Sequence, residues 1–193
     1  GRQDTWPDGK RVELHAHTKM SSMDGLNEPK DIVNKAASWG QPAVAITDHG
    51  TMYGVVEFYN ALRAKGIKPI IGCEVYVAAR GRFSKEGKQD ISGHHLILLC
   101  KNEIGYRNLC YMVSESFING FYSKPRIDME LLRDHHEGLV CLSGCLAGKI
   151  PQLILTGSME EAERAADEMY EIFGDDFYLE VQNHSIEDER KVA

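Results

Sequence analysis

Apolar residues along the chain switch repeatedly between a period of two and helical spacing. Residues 11–17 alternate, with Val12, Leu14 and Ala16 directed to one face and His15 and His17 to the other, and predict a strand entering a core. A loop through Asp24 and Gly25 leads to a predicted helix over 29–39, ended by Gly40. The short apolar run 43–46 predicts a buried strand stopping at Thr47, Asp48, His49 and Gly50. A helix over 55–65 ends at Gly66, and 69–77 predicts a third strand. Residues 80–93, rich in Gly, Lys, Ser and Asp, form a polar excursion before a fourth strand over 95–100.

The second half continues the alternation. Helical spacing runs over 105–119, the Lys124, Pro125, Arg126 turn breaks it, and 128–135 predicts a short capped helix. A fifth strand at 139–142 turns at Ser143, Gly144 and Cys145. Ser158, with Glu161 three positions on, predicts a capping box at the start of a helix over 158–173, and 177–181 predicts a sixth strand. Six strand candidates alternating with helices imply a parallel α/β sheet or barrel.

Composition narrows the function classes. A chain of 193 residues with 42% hydrophobic content has enough apolar material for one domain with a real core, residues 1–10 forming a polar lead-in. A net charge of −7 argues against a surface that grips nucleic-acid backbone unaided. Five cysteines, odd in number and without a CxxC pair, read as reduced thiols of a cytoplasmic protein. No apolar run is long enough to span a bilayer, so no membrane partner is expected, and the first ten residues lack a signal-peptide core.

The candidate chemistry is concentrated at strand ends. His15 and His17 share a strand face, a spacing at which two imidazoles can chelate a divalent transition metal. Glu74 lies inside an apolar strand, where a carboxylate needs a partner, and His49 ends a strand, the place where α/β sites are built. His94 and His95 face opposite ways, so only one of them can join a cluster, and His94 reads as an exposed neighbour. Asp24 alone, before Gly25, also suits a plain turn, and Cys145 also suits a small buried hydrophobe. Asp48 either orients a ligand histidine or caps its loop.

The order HxH, loop Asp, Thr-Asp-His, Gly-x-Glu, a histidine opening an apolar strand and Ser-Gly-Cys resembles the PHP (polymerase and histidinol phosphatase) domain over nearly the whole chain. Residues 106–109, 120–128 and 177–184 resemble more narrowly the PHP domain of bacterial replicative DNA polymerase III α subunits of the DnaE type, while the opening 11–24 is closer to the PolC type. The resemblance implies a distorted (β/α)7 barrel whose last strand, carrying an Asp-x-His pair, is missing from this chain. It assigns His15, His17, Asp24, His49, Glu74, His95 and Cys145 as ligands of zinc, manganese or iron, with up to three ions in a complete domain. Such ions polarise a phosphoryl group and make a bound water acidic enough to attack it.

Arg126 and His184 are expected either to touch phosphate or to support the ligands from outside. The implied activity is 3′→5′ proofreading hydrolysis at DNA 3′ ends, alongside other polymerase modules and a separate proofreading subunit as partners. The alternatives are a metal-binding scaffold without catalysis, or a phosphatase or pyrophosphatase of the same superfamily. The 120–128 segment speaks against the phosphatase, because it belongs to the polymerase branch.

Overall fold

A computed structural model describes residues 12–21, 25–91, 93–144, 148–181 and 187–192, without the side chains of residues 189 and 190. Its elements have the α/β order that the alternating periods predict. Two compact units divide at a boundary inside one strand, Gly1–Cys73 and Glu74–Ala193.

In the first unit, strand β1 (Ala43–Ile46) is buried along its whole length. It pairs in parallel with the first half of β2 (Lys68–Val77), from Ala43 opposite Lys68 to Ile46 opposite Ile71. Helices α1 (Pro29–Ser38) and α2 (Val55–Ala64) close over it, and Val33, Ala36, Val55, Phe58 and Leu62 join Val44, Ile46 and Ile67 in one apolar cluster. Full burial of Phe58 and Leu62 is worth roughly 2–3 kcal/mol each. Both helices stop where glycine predicts. Gly40 and Gly66 adopt φ of 68° and 70°, and Gln41 and Ile67 donate to Ala36 and Leu62 carbonyls at 3.0 Å, closing the helix ends.

The expected strand over 11–17 is irregular. Glu13 forms an isolated parallel bridge to Val44, and the Ala45 and Thr47 amides donate to Glu13 and Ala16 carbonyls at 2.8 Å. Those acceptors are three residues apart while their donors are two apart, so the segment holds one extra residue against β1. The strict alternation is thereby broken, and Leu14 is left 37% exposed instead of entering the core.

In the second unit, the remainder of β2 pairs in parallel with β4 (Arg126–Ile127). After the short α3 (Lys88–Ile91), β3 (His94–Cys100) lies antiparallel to β5 (Leu139–Leu142), and β5 pairs in parallel with β6 (Phe177–Tyr178). Among the described residues the hydrogen-bonded order is β1-β2-β3-β5-β6, with β4 beside β2 off this path, so the six-stranded sheet is open and not closed into a true barrel.

An all-parallel sheet therefore gives way at the centre. Helices α4 (Glu103–Ile118) and α5 (Met129–His135) return the chain to the end of β3 that it left, where the Lys101 amide donates to Gly138 O at 2.8 Å. Backbone contact there is so close that a Cβ on Gly105 would lie 1.9 Å from Gly138 O.

Helix α6 (Lys149–Leu155), not foreseen because it is short and contains Pro151, packs with α7 (Met159–Phe173) around Ile150, Ala162 and Ala165. The expected capping box at Ser158 does not form. Ser158 N donates to Leu153 O at 2.9 Å to finish α6, which leaves its ψ at 61°, away from the extended conformation a capping residue needs. A final helix, α8, spans Glu187–Val192. No helix among the described residues is long and apolar enough to cross a membrane.

Candidate metal centre

The first unit brings three of the expected ligands together. The rings of His15 and His17 meet edge to face with centroids 4.9 Å apart, and His17 stacks on His49 at 4.2 Å. The bulged segment supplies the first two and the end of β1 supplies the third, so the convergence survives the loss of strict strand alternation. His15 and His17 each offer a ring nitrogen within 4.8 Å of the other's, a pair of donors that suits zinc, manganese or iron.

The loop leaving His17 is fastened from below by Asp48, which is 1% exposed. Its Oδ1 accepts from Thr18 N at 2.6 Å and Ser21 Oγ at 2.9 Å, and its Oδ2 accepts from Thr18 Oγ1 at 2.7 Å. Ser21 Oγ in turn accepts from His49 N at 3.0 Å. Of the two roles open to Asp48 from sequence, its hydrogen bonds are those of a loop cap, acting on the histidines through the backbone. Asp48→Ala is expected to lower the unfolding free energy by about 3 kcal/mol, since three buried donors lose a charged acceptor. Urea denaturation followed by circular dichroism measures this, and a loss below about 1 kcal/mol would remove Asp48 as the fastening of the loop.

The second unit holds the other pair. Glu74, on β2 and 1% exposed, faces His95 at the start of β3, with Nδ1 of the imidazole 2.6 Å from Oε1. Tyr76 lies against the same imidazole, ring edge to ring face, at 4.7 Å. A carboxylate and an imidazole are both ligand types for the same divalent metals. His94 points away, as the strand period requires, but it is half-buried rather than exposed. It lines a cavity of about 90 Å3 with Val77, Leu96, Met129, Ile150 and Met169. Burial, with Lys149 and His95 nearby, holds its pKa below the ordinary histidine value.

Of the two roles expected of Arg126, the phosphate contact is ruled out. It is wholly buried, and its guanidinium is spent on backbone: Nε donates to Gly120 O, Nη1 to Asp90 O, and Nη2 to Arg82 O and Ser84 O, at 2.7–3.0 Å. A phosphate cannot reach it. Sequence reasoning also missed the buried ion pair in which Arg82 Nη1 meets Asp128 at 3.0 Å, although Asp128 was legible as the cap of α5, accepting from Leu131 N at 3.0 Å. Asp24, Cys145 and His184 lie outside the described residues.

The PHP domain family matches residues 13–184. The chain is 48% identical over 184 residues to the DNA polymerase III subunit alpha of Treponema pallidum (strain Nichols), covering 94% of this chain and 16% of that protein. It is 46% identical over 187 residues to the subunit of the same name from Thermus aquaticus, covering 95% and 15%. Against that of Chlamydia pneumoniae it is 48% identical over 179 residues, covering 92% and 14%. The chain thus spans about one sixth of the length of the curated relatives it matches. By these matches, which run through both histidine-bearing units, the chain belongs to the PHP domain family and is homologous to the alpha subunits of bacterial DNA polymerase III.

Proposed function

We propose that this chain is the metal-dependent phosphodiesterase part of a bacterial replicative polymerase subunit, removing nucleotides from DNA 3′ ends in proofreading. The observation that carries the reading is that His15 and His17 offer ring nitrogens within 4.8 Å of one another, a donor pair whose residue types fit divalent zinc, manganese or iron. Glu74 and His95 add a buried carboxylate and an imidazole of the same ligand class. Asp24 and Cys145 are proposed as further ligands on the family resemblance, with up to three ions in all. When bound, such ions supply Lewis-acid polarisation of the phosphoryl group and a more acidic water. The protein's own part is to hold the donors: Asp48 fixes the loop between His17 and His49, and β2 and β3 fix Glu74 against His95. DNA as substrate is supported by the homology to polymerase subunits, which also supports further polymerase modules as partners, while a separate proofreading subunit belongs to the scaffold reading.

The test is release of mononucleotides from a 3′-labelled oligonucleotide with manganese or zinc added. Wild type is expected to release them and Glu74→Gln to lose at least about a hundredfold in rate, because a neutral amide is a poor ligand for a cation. Equal rates in the two proteins would refute Glu74 as a ligand. A metal-loaded wild type that releases nothing would replace hydrolysis with the scaffold reading.

A further inference from the structure

Beside the Glu74–His95 pair, the second unit contains a lysine in an unusual setting. Lys124 Nζ lies 4.4 Å from the centre of the Tyr76 ring, and that ring contacts the His95 imidazole. Glu74, His95, Tyr76 and Lys124 therefore form a continuous chain of contacts ending in an ammonium group.

The backbone is shaped to put it there. Ser123, just before it, has φ of 65°, the one positive value outside glycine among the described residues. A side chain in the left-handed region is strained, and such strain concentrates where a neighbouring group must be aimed. The turn is closed by Tyr122 N donating to Lys124 O at 3.1 Å. It is clamped from beneath by Arg126, whose Nε holds Gly120 O at 2.9 Å, and a Cβ on Gly120 would stand 1.8 Å from Arg126 O.

The charge pattern gives this placement a purpose. Several cations of the unit meet carboxylates: Arg82 with Asp128, Lys101 with Asp176 and Arg133 with Glu168. Lys85, Lys88 and Arg164 meet none among the described residues, and none of these three lies on an aromatic ring as Lys124 does. Among the described residues no carboxylate is paired with Lys124, although the chain carries a net charge of −7. A partly exposed ammonium steadied on an aromatic face, beside a carboxylate–imidazole pair, is a point charge suited to an anionic oxygen.

We propose that Lys124 contacts a phosphodiester oxygen of the DNA strand engaged at the Glu74–His95 pair, an inference that rests on the hydrolytic reading above. Tyr76 is its positioning residue, since the ring fixes the ammonium relative to His95. The phosphate contact that the sequence places on Arg126 thus belongs two residues earlier, on the one cation of this turn that solvent can reach. Arg126 aims the turn.

The experiment measures binding apart from cleavage, using a short 5′-fluorescent oligothymidylate with phosphorothioate linkages and the full chain in manganese buffer. Fluorescence anisotropy over a salt series gives the slope of log affinity against log salt. Each phosphate contact to a single strand contributes about 0.7 to that slope, so Lys124→Met and Lys124→Gln are expected to make it shallower by about 0.7. Lys124→Arg, which keeps the charge, and Lys101→Ala, remote and already paired, are expected to keep the wild-type slope. An unchanged slope in both neutral variants, or a wild type that does not bind the strand, overturns the contact. Cleavage by wild type with the same KM in Lys124→Met also overturns it while leaving hydrolysis in place. A Lys124-dependent slope in a protein that releases no nucleotide keeps the contact and removes hydrolysis.

Discussion

Arg126→Met is expected to lower the unfolding free energy by on the order of 4 kcal/mol, among the largest effects available from one side chain in this protein. The guanidinium is 0% exposed and donates to four carbonyls drawn from three separated stretches: Arg82 and Ser84, Asp90, and Gly120. Methionine matches much of the apolar stem but leaves those carbonyls without donors in the interior, and an unmet buried acceptor costs more than its bond contributes when made. Lysine restores the charge without the planar fork that reaches several acceptors at once, so Arg126→Lys should recover only part of the loss. Urea denaturation of the three proteins, followed by circular dichroism, checks this. A methionine variant within about 1 kcal/mol of wild type would mean that water satisfies these carbonyls.

The second large effect is on metal content. Protein purified without chelator is expected to carry zinc, manganese or iron, and the double substitution His15→Ala, His17→Ala to lose the metal held by the first unit. Two of the three imidazoles in ring contact would be gone, and His49 alone is a weak ligand set. Elemental analysis gives the metal per chain, and equal content in the two proteins would refute the assignment. Binding to the folded state alone also adds stability by mass action, about 2.7 kcal/mol when free metal is a hundredfold above Kd. Wild type should therefore melt at a lower temperature in chelator, and the double variant should show a much smaller shift. A wild-type melting temperature indifferent to chelator would break the link between metal and fold.

The amino-acid sequence by itself determined the α/β class, the helices over the regions of α1, α2, α4, α5 and α7, and the strands β1, β2, β3 and β5. These elements are local: the apolar period matches the backbone period, and Gly40 and Gly66 end their helices through φ values that glycine alone adopts at no cost. The pairing of His15 with His17 was legible for the same reason, since two residues two apart stay neighbours even in an irregular strand.

Tertiary structure alone decided the rest. The antiparallel meeting of β3 and β5 depends on where α4 and α5 deliver the chain, and the close contact of Gly105 with Gly138 that sets it joins residues far apart in sequence. The extra residue opposite β1 that exposes Leu14 is a matter of register, which the alternating pattern cannot reveal. Ser158 and Glu161 spell a capping box, but the end of α6 takes Ser158 first. Arg126 and Lys124 show the limit most sharply. Both are cations in one turn and equally able to hold a phosphate by composition, and only burial decides between them, spending one guanidinium on four backbone carbonyls and leaving one ammonium on an aromatic ring within reach of solvent. Burial is a property of everything packed around a residue, and no local pattern of hydrophobic and polar positions encodes it.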